Sequence, residues 1–199
     1  VATCRTEGFA RVKNVFTKQE VDGMRAKALL SLKGSPELEE LNGYPTILYH
    51  PKELADVVND PRLQEIVKSY YEHDNFVLET QQWYFHLPGD PDEFAWHTDE
   101  RFRPGVGNLY LQTAILIDDW TEDNSAVEFI PKSHKKPFHN TPELRHFERN
   151  GLKGKKLMGE AGDVFTWSNT VVHGSEKNVG STSRMYFMHG FRGSDVAYC

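Results

Sequence analysis

Two places in this 199-residue chain hold a histidine and a carboxylate two positions apart, a spacing that can grip a metal ion: His97-x-Asp99 and His146-x-Glu148. Residues i and i+2 project to the same side of a strand, whereas on a helix they lie about 200° apart. His97 and Asp99 end a predicted strand, but residues 141–150 have a capped helical pattern. The sequence therefore favours His97 and Asp99 as a metal-binding pair. We interpret His146 and Glu148 as part of a solvated face.

A third ligand must come from a distant part of the chain. His173 is the best candidate, because it ends the apolar stretch 165–172 and is followed by Gly174 and Ser175. Two histidines and one carboxylate leave three coordination positions open, which is the arrangement of non-haem Fe(II) oxygenases. The alternative is that these histidines are ordinary strand residues that only make hydrogen bonds.

Helical patterns come first in the chain and strands follow. Thr17 to Glu20 form a capping box that opens an amphipathic helix, and Asp60 with Pro61 opens another. After Asn75 the hydrophobic period changes to two, which indicates strands over 76–87, 94–99, 110–117, 126–130, 156–158, 164–167 and 184–191. This order predicts a mostly β fold, an antiparallel sandwich or barrel with the helices packed outside it.

Composition and charge narrow the class of protein. A length of 199 residues fits one domain, 1–199. The net charge of −6 argues against a nucleic-acid partner, and no apolar run approaches the roughly 20 residues that cross a bilayer. The two cysteines, Cys4 and Cys199, lie at opposite ends of the sequence and are interpreted as free thiols in a reducing compartment, which favours a cytoplasmic location. The oligomeric state is left open.

The combined motifs resemble the phytanoyl-CoA dioxygenase family of Fe(II)/2-oxoglutarate-dependent oxygenases, which includes ectoine hydroxylase. They are, in order, His97-x-Asp99, segment 129–135 (FIPKSHK), His173-Gly174-Ser175 with Asn178, and Arg184, which stands 11 residues after His173. The resemblance extends to the opening residues 7–12 and the capped helix after them. It implies a double-stranded β-helix, a jelly-roll or cupin-like core of two facing antiparallel sheets.

The resemblance also implies roles for individual residues. His97, Asp99 and His173 would hold Fe(II), while Arg184 and Ser175 would bind the distal carboxylate of 2-oxoglutarate. Such a role suits an arginine, because a guanidinium offers a bidentate fork to a carboxylate. The alternative for Arg184 is a surface salt bridge. However, strand parity places it on one face with apolar side chains, and an inward arginine there needs an anion.

Four further residues are weaker candidates. Gln112 and Gln81 roughly align with positions that line the oxoglutarate pocket in ectoine hydroxylase-like sequences, and the alternative is that they face solvent or an edge. Arg101 and Arg103 follow the first two metal-ligand candidates in the chain, so their loop must start at the site. The pair would attract a substrate that carries a carboxylate or phosphate, unless both are merely solvated surface.

The implied activity is that of an oxidoreductase. It uses Fe(II), 2-oxoglutarate and O2, releases succinate and CO2, and hydroxylates a small polar metabolite or natural-product intermediate. Desaturation, epoxidation or cyclisation on the same scaffold, or a non-catalytic metal- or ligand-binding barrel, are the alternatives. One departure from the family pattern is Lys132, which stands where the family usually has glycine and must accept a turn geometry that glycine adopts freely.

Overall fold

The computed structural model describes residues 2–32, 47–49, 52–90, 93–99, 110–135 and 152–193. Its helices are α1 (Ala2–Glu7), α2 (Lys18–Leu32) and α3 (Pro61–Tyr71), with 3₁₀ segments at Lys52–Asn59 and Ser133–Lys135. The strands are β1 (Phe9–Val12), β2 (Ile47–Tyr49), β3 (Phe76–His86), β4 (Phe94–His97), β5 (Tyr110–Leu116), β6 (Glu128–Phe129), β7 (Lys155–Lys156), β8 (Val164–Ser168), β9 (His173–Ser175) and β10 (Arg184–Gly193). The predicted helix 141–150 and the substrate candidates Arg101 and Arg103 lie outside the described residues.

The strands form two antiparallel sheets, which confirms the predicted mostly β, jelly-roll class. The larger sheet has the order β1-β8-β5-β10-β3-β2 and the smaller one β4-β9-β6-β7. Side chains of the two sheets meet between them, as in the stacking of Phe9 on Phe129 at 4.8 Å between ring centroids. No helix in the described ranges is both long and apolar enough to cross a bilayer.

The larger sheet is buried on both faces, because successive residues of a strand point to opposite sides. On β10, Met185 and Phe187 belong to the core cluster that includes the helical residues Val21 and Leu63. Tyr186 and Met188 point the other way, into a cluster between the sheets whose members include Trp120, Phe129, Phe165 and Trp167. The helices therefore cover the outer face of the sheet, and the inner face is left for the site.

Capping residues mark the start of both α2 and α3, as the sequence predicted. The Thr17 backbone N–H donates to Glu20 Oε2 at 2.7 Å and the Glu20 N–H donates to Thr17 Oγ1 at 3.3 Å, so the capping box is formed. The Arg62 N–H donates to Asp60 Oδ1 at 2.9 Å at the start of α3. The sequence patterns did not predict α1, β2 or β9, each of which is at most six residues long.

The turn after β6 connects the N-terminal helix to the strand that begins with His173. Ser133 Oγ accepts a hydrogen bond from the Val172 N–H at 2.8 Å, and the Ile130 N–H donates to Val172 O at 2.9 Å. Lys132 adopts φ of 65°, in the left-handed region, as its place in the turn requires. The turn therefore serves a structural purpose, because it holds the backbone immediately before His173.

The backbone of Lys132 yields a stability prediction. Glycine adopts positive φ at no steric cost, so Lys132→Gly should raise the free energy of unfolding by about 0.5–1 kcal/mol. Lys135→Gly, in the 3₁₀ segment and without positive φ, is the matched control and should lower it by about as much. Urea denaturation of both variants measures the difference. Equal destabilisation by the two substitutions would contradict the assigned strain.

Candidate active site

Three side chains that the sequence singled out converge between the sheets. His97 ends β4 and pairs across the small sheet with His173, which begins β9. Asp99 Oδ1 lies 3.6 Å from His97 Nε2, and Asp99 Oδ2 lies 3.7 Å from His173 Nε2. One ligand atom from each residue lies within 4.8 Å of the others. The sequence predicted a strand over 94–99 that contains Asp99. The observed β4 ends at His97, and Asp99 turns inward just after it.

Backbone carbonyls orient both imidazoles. His97 Nδ1 lies 2.7 Å from Ala95 O, and His173 Nδ1 lies 3.1 Å from Val171 O. A carbonyl can only accept a hydrogen bond, so each ring donates through Nδ1. Both Nε2 atoms are the ones that face Asp99. The pair of rings is therefore oriented to ligate a metal through Nε2.

The donor set fits a divalent first-row metal. Metal–ligand bonds of about 2.0–2.2 Å place neighbouring ligands roughly 3 Å apart at right angles. One ligand atom from each residue lies within 4.8 Å of the others, so the side chains would move inward to hold an ion. Burial opposes ionisation of Asp99, but His173 and His97, with the Trp167 N–H, hold the pKa of the carboxyl below its usual range. Asp99 is therefore an anionic ligand at neutral pH.

Trp167 supports the carboxylate and was not anticipated from the sequence. It lies on the inner face of β8, and its indole Nε1 donates to Asp99 Oδ2 at 3.0 Å. A tryptophan in an apolar strand is read as a core residue, and only the packing of β8 against the turn after β4 shows this contact. The bond leaves Asp99 Oδ1 as the carboxylate oxygen with no indole partner.

Arg184 is buried and forms no salt bridge with any described residue. The side chain is 0% exposed, and its Nη2 donates to Ser175 Oγ at 3.1 Å. Nε and Nη1 have no hydrogen-bond partner within the described part of the chain. Burial lowers the pKa of Arg184 to about 10, so it stays a cation at neutral pH. A buried charge with unused donors is costly unless an anion pairs with it, so we interpret Arg184 with Ser175 as a candidate anion site.

The two glutamine candidates lie on opposite faces of the larger sheet. Gln112 is opposite Trp167 in the register of β5 with β8 and alternates onto the inner face, with its Oε1 unpartnered among the described residues. Gln81 alternates with Trp83 and Phe85, which belong to the outer, helix-covered cluster. The structure thus brings Gln112 towards the site and leaves Gln81 behind the sheet. Burial does not distinguish the two glutamines, because both are buried to a similar degree. The strand register determines which face of the sheet each side chain takes.

One cavity joins the metal-binding triad to the anion site. It lies between the two sheets. It is lined by the triad, by Ser175 and Gly174, and by a mostly apolar wall of Tyr84, Phe94, Trp120, Val127, Trp167, Tyr186 and Met188. Ser175 lies two residues after His173 on β9, which places the two about 7 Å apart along the strand. The arrangement suits a small dianion with one end at the triad and the other at Arg184.

Comparisons with known proteins find one family and one curated relative. The family model for phytanoyl-CoA dioxygenase (PhyH) matches residues 4–186. A protein of Stutzerimonas stutzeri described as a probable alpha-ketoglutarate-dependent hypophosphite dioxygenase is 24% identical over 220 aligned positions. That match covers 96% of this chain and 76% of the relative.

Solved structures share the fold. EvdMO1 superposes with a TM-score of 0.79 at 20% identity, and the match covers 96% of this chain and 48% of EvdMO1, so this chain spans about half of that protein. EctD from S. alaskensis, solved with 2-oxoglutarate and 5-hydroxyectoine, superposes with a TM-score of 0.77 at 16% identity. That match covers 96% of this chain and 74% of EctD. At these identities the likeness extends to the fold alone.

Removing the Trp167 donor should weaken the metal site. Trp167→Phe keeps an aromatic ring and deletes the N–H that holds Asp99, so the dissociation constant for Fe(II) should rise about 10- to 100-fold. Calorimetric titration of the metal-free protein under anaerobic conditions measures it. Trp120→Phe is the matched control, because its Nε1 has no partner in the described residues and its affinity for metal should not change. Unchanged affinity in both variants would show that Trp167 only fills space.

Proposed function

This chain belongs to the phytanoyl-CoA dioxygenase family, and from that premise we propose that it is an Fe(II)- and 2-oxoglutarate-dependent dioxygenase that hydroxylates a small polar metabolite. The observation that carries the proposal is the buried guanidinium of Arg184, which donates to Ser175. Ser175 lines the same cavity as a triad of two histidines and one carboxylate. A metal site alone would suit many enzymes. The added anion site is what a dicarboxylate co-substrate requires.

The proposed iron ligands are His97, Asp99 and His173. Bound iron and 2-oxoglutarate supply the oxidation with O2, in which one oxygen atom goes to succinate and the other to the substrate. The protein holds both imidazoles through Ala95 O and Val171 O, so both Nε2 atoms already point to the place where a metal would bind. The anionic Asp99 balances part of the charge of the metal.

Arg184 and Ser175 are the proposed partners of the distal carboxylate. Because Ser175 Oγ accepts a hydrogen bond from Arg184 Nη2, its own hydroxyl proton remains to be donated to the carboxylate. The free Nε and Nη1 of Arg184 supply further donors. Gln112, on the inner face, is proposed to donate to the carboxylate at the iron end. Gln81 is left out of the proposed site because it faces the helices.

The apolar wall has a chemical purpose in this proposal. Tyr84, Phe94, Trp120 and Met188 keep water from the space above the triad, where a reactive oxidant would otherwise be quenched. The same wall would serve desaturation, epoxidation or cyclisation, which use the same co-substrates. A non-catalytic barrel is disfavoured, because it has no use for both the intact triad and the buried arginine.

For the substrate we propose a small molecule that carries a carboxylate, phosphate or related oxyanion, met by Arg101 and Arg103. Both follow Asp99 closely in the chain and lie outside the described residues. The curated relative supports an anionic substrate, because its name gives hypophosphite. The net charge of −6 supports the absence of a nucleic-acid partner. We also propose one oxygenase domain over 1–199 and a cytoplasmic location, to which the buried free thiol of Cys4 is suited.

The test of the activity is succinate formation by the full chain with Fe(II) and 2-oxoglutarate, with and without small oxyanions. In Arg184→Met the lost charged contact should cost on the order of 2–5 kcal/mol, which raises the KM for 2-oxoglutarate by tens to thousands of fold. Arg192→Met is the matched control on β10: Arg192 pairs with Glu79 inside the protein, so its loss should lower stability and leave that KM alone. A wild type that forms no succinate would contradict the proposed function.

The arginine loop yields a separate prediction. Replacing Arg101 and Arg103 together by alanine should raise the substrate KM at least tenfold, because each charge-assisted hydrogen bond is worth about 1.5–3 kcal/mol, while the KM for 2-oxoglutarate stays the same. The measurement compares substrate-stimulated succinate formation in the variant and the wild type. If substrate KM and the ratio of product to succinate are both unchanged, the two arginines are solvated surface.

A further inference from the structure

Tyr186 presents an unused hydroxyl to the cavity. The residue lines the cavity and is 6% exposed. Its hydroxyl makes no hydrogen bond within the described residues, and the oxygen is not fully buried. It therefore opens onto the space between the sheets, and a ligand there would meet it.

The ring of Tyr186 is fixed in place. It stacks on Tyr84 with 4.6 Å between centroids and 4° between planes, and Trp120 meets it edge-on at 5.1 Å and 77°. A phenol held in this way aims its hydroxyl in one direction without loss of side-chain entropy on binding. The aim therefore comes from the fold and needs no ligand to set it.

The hydroxyl lies beside the anion site. Tyr186 follows Arg184 by two residues on β10, so both side chains rise from the same inner face of the strand. Both side chains contact Trp120: the Arg184 guanidinium carbon lies 5.6 Å from its ring centroid and the Tyr186 ring 5.1 Å away. Burial raises the pKa of Tyr186 above its usual range, so the hydroxyl is a neutral donor throughout the physiological range.

We propose that Tyr186 is a co-substrate-binding residue whose hydroxyl donates a hydrogen bond to the distal carboxylate of 2-oxoglutarate, beside Arg184; this inference rests on the proposed function. Arg184 offers charge and Ser175 one hydroxyl, and Tyr186 adds a donor from a side chain that lines the same cavity as the triad. A carboxylate has about four lone-pair positions, so the three side chains can serve it together. Tyr186 thereby selects a five-carbon dicarboxylate over a monocarboxylate of the same length.

The test is anaerobic titration of the Fe(II)-loaded full chain, followed by the visible metal-to-ligand charge-transfer band. Each variant is titrated with 2-oxoglutarate and with 2-oxopentanoate, which has the same carbon chain without the distal carboxylate. Tyr186→Phe should weaken 2-oxoglutarate binding roughly 10- to 100-fold, as expected for a hydrogen bond to a charged group. It should leave 2-oxopentanoate binding unchanged.

Tyr71→Phe is the matched control. Its hydroxyl is already used, since it donates to Phe191 O at 2.8 Å, so its loss should lower the melting temperature and leave both affinities unchanged. Tyr186→Phe should show no such fall in melting temperature without ligand. Equal affinity of Tyr186→Phe and wild type for 2-oxoglutarate overturns the inference alone, and so does an equal loss for both ligands. A wild type without a saturable band overturns the proposed function, and the inference with it.

Discussion

The structure depends on a buried positive charge, that of Arg184, which forms no salt bridge with any described residue. Arg184 sits fully enclosed, with Ser175 Oγ as its hydrogen-bond partner in the described residues. An unpaired guanidinium in the interior costs free energy that only a bound anion offsets. Folding tolerates this because both faces of the larger sheet are covered, so the strand that carries Arg184 is held by helices on one side and by the small sheet on the other. The anion site is therefore stabilised by the fold and completed by the ligand.

The triad differs from the buried arginine, because its polar groups contact one another and nearby backbone carbonyls. His97 and His173 are neighbours across β4 and β9, their Nδ1 protons go to nearby carbonyls, and Asp99 lies between their Nε2 atoms. The turn that contains Ser133 fixes the backbone before His173. Metal affinity and anion affinity thus arise from different elements, and each can be lost by substitution while the other remains.

Much of this arrangement was predictable from local patterns. A histidine and an aspartate two residues apart share a direction, capping residues mark where α2 and α3 begin, and period-two hydrophobicity marks the strands. The positive φ of Lys132 followed from its place in a turn. The remaining features depend on the register of the strands, which local sequence patterns do not give. Gln81 and Gln112 lie in strands buried on both faces, so no polar–apolar alternation tells which face each side chain takes, and Gln81 proved to face the helices. Trp167 and Tyr186 look like core residues until the opposing sheet supplies Asp99 and the cavity.

The central claim is that one cavity binds iron and 2-oxoglutarate together, and the most direct measurement is the charge-transfer spectrum of the anaerobic protein with Fe(II) and 2-oxoglutarate. A chelate formed at the triad should give a visible band that requires both components, saturates with one equivalent of each, and is absent in His173→Ala. A spectrum with no band in the wild type, or a band of equal intensity in His173→Ala, would contradict the account.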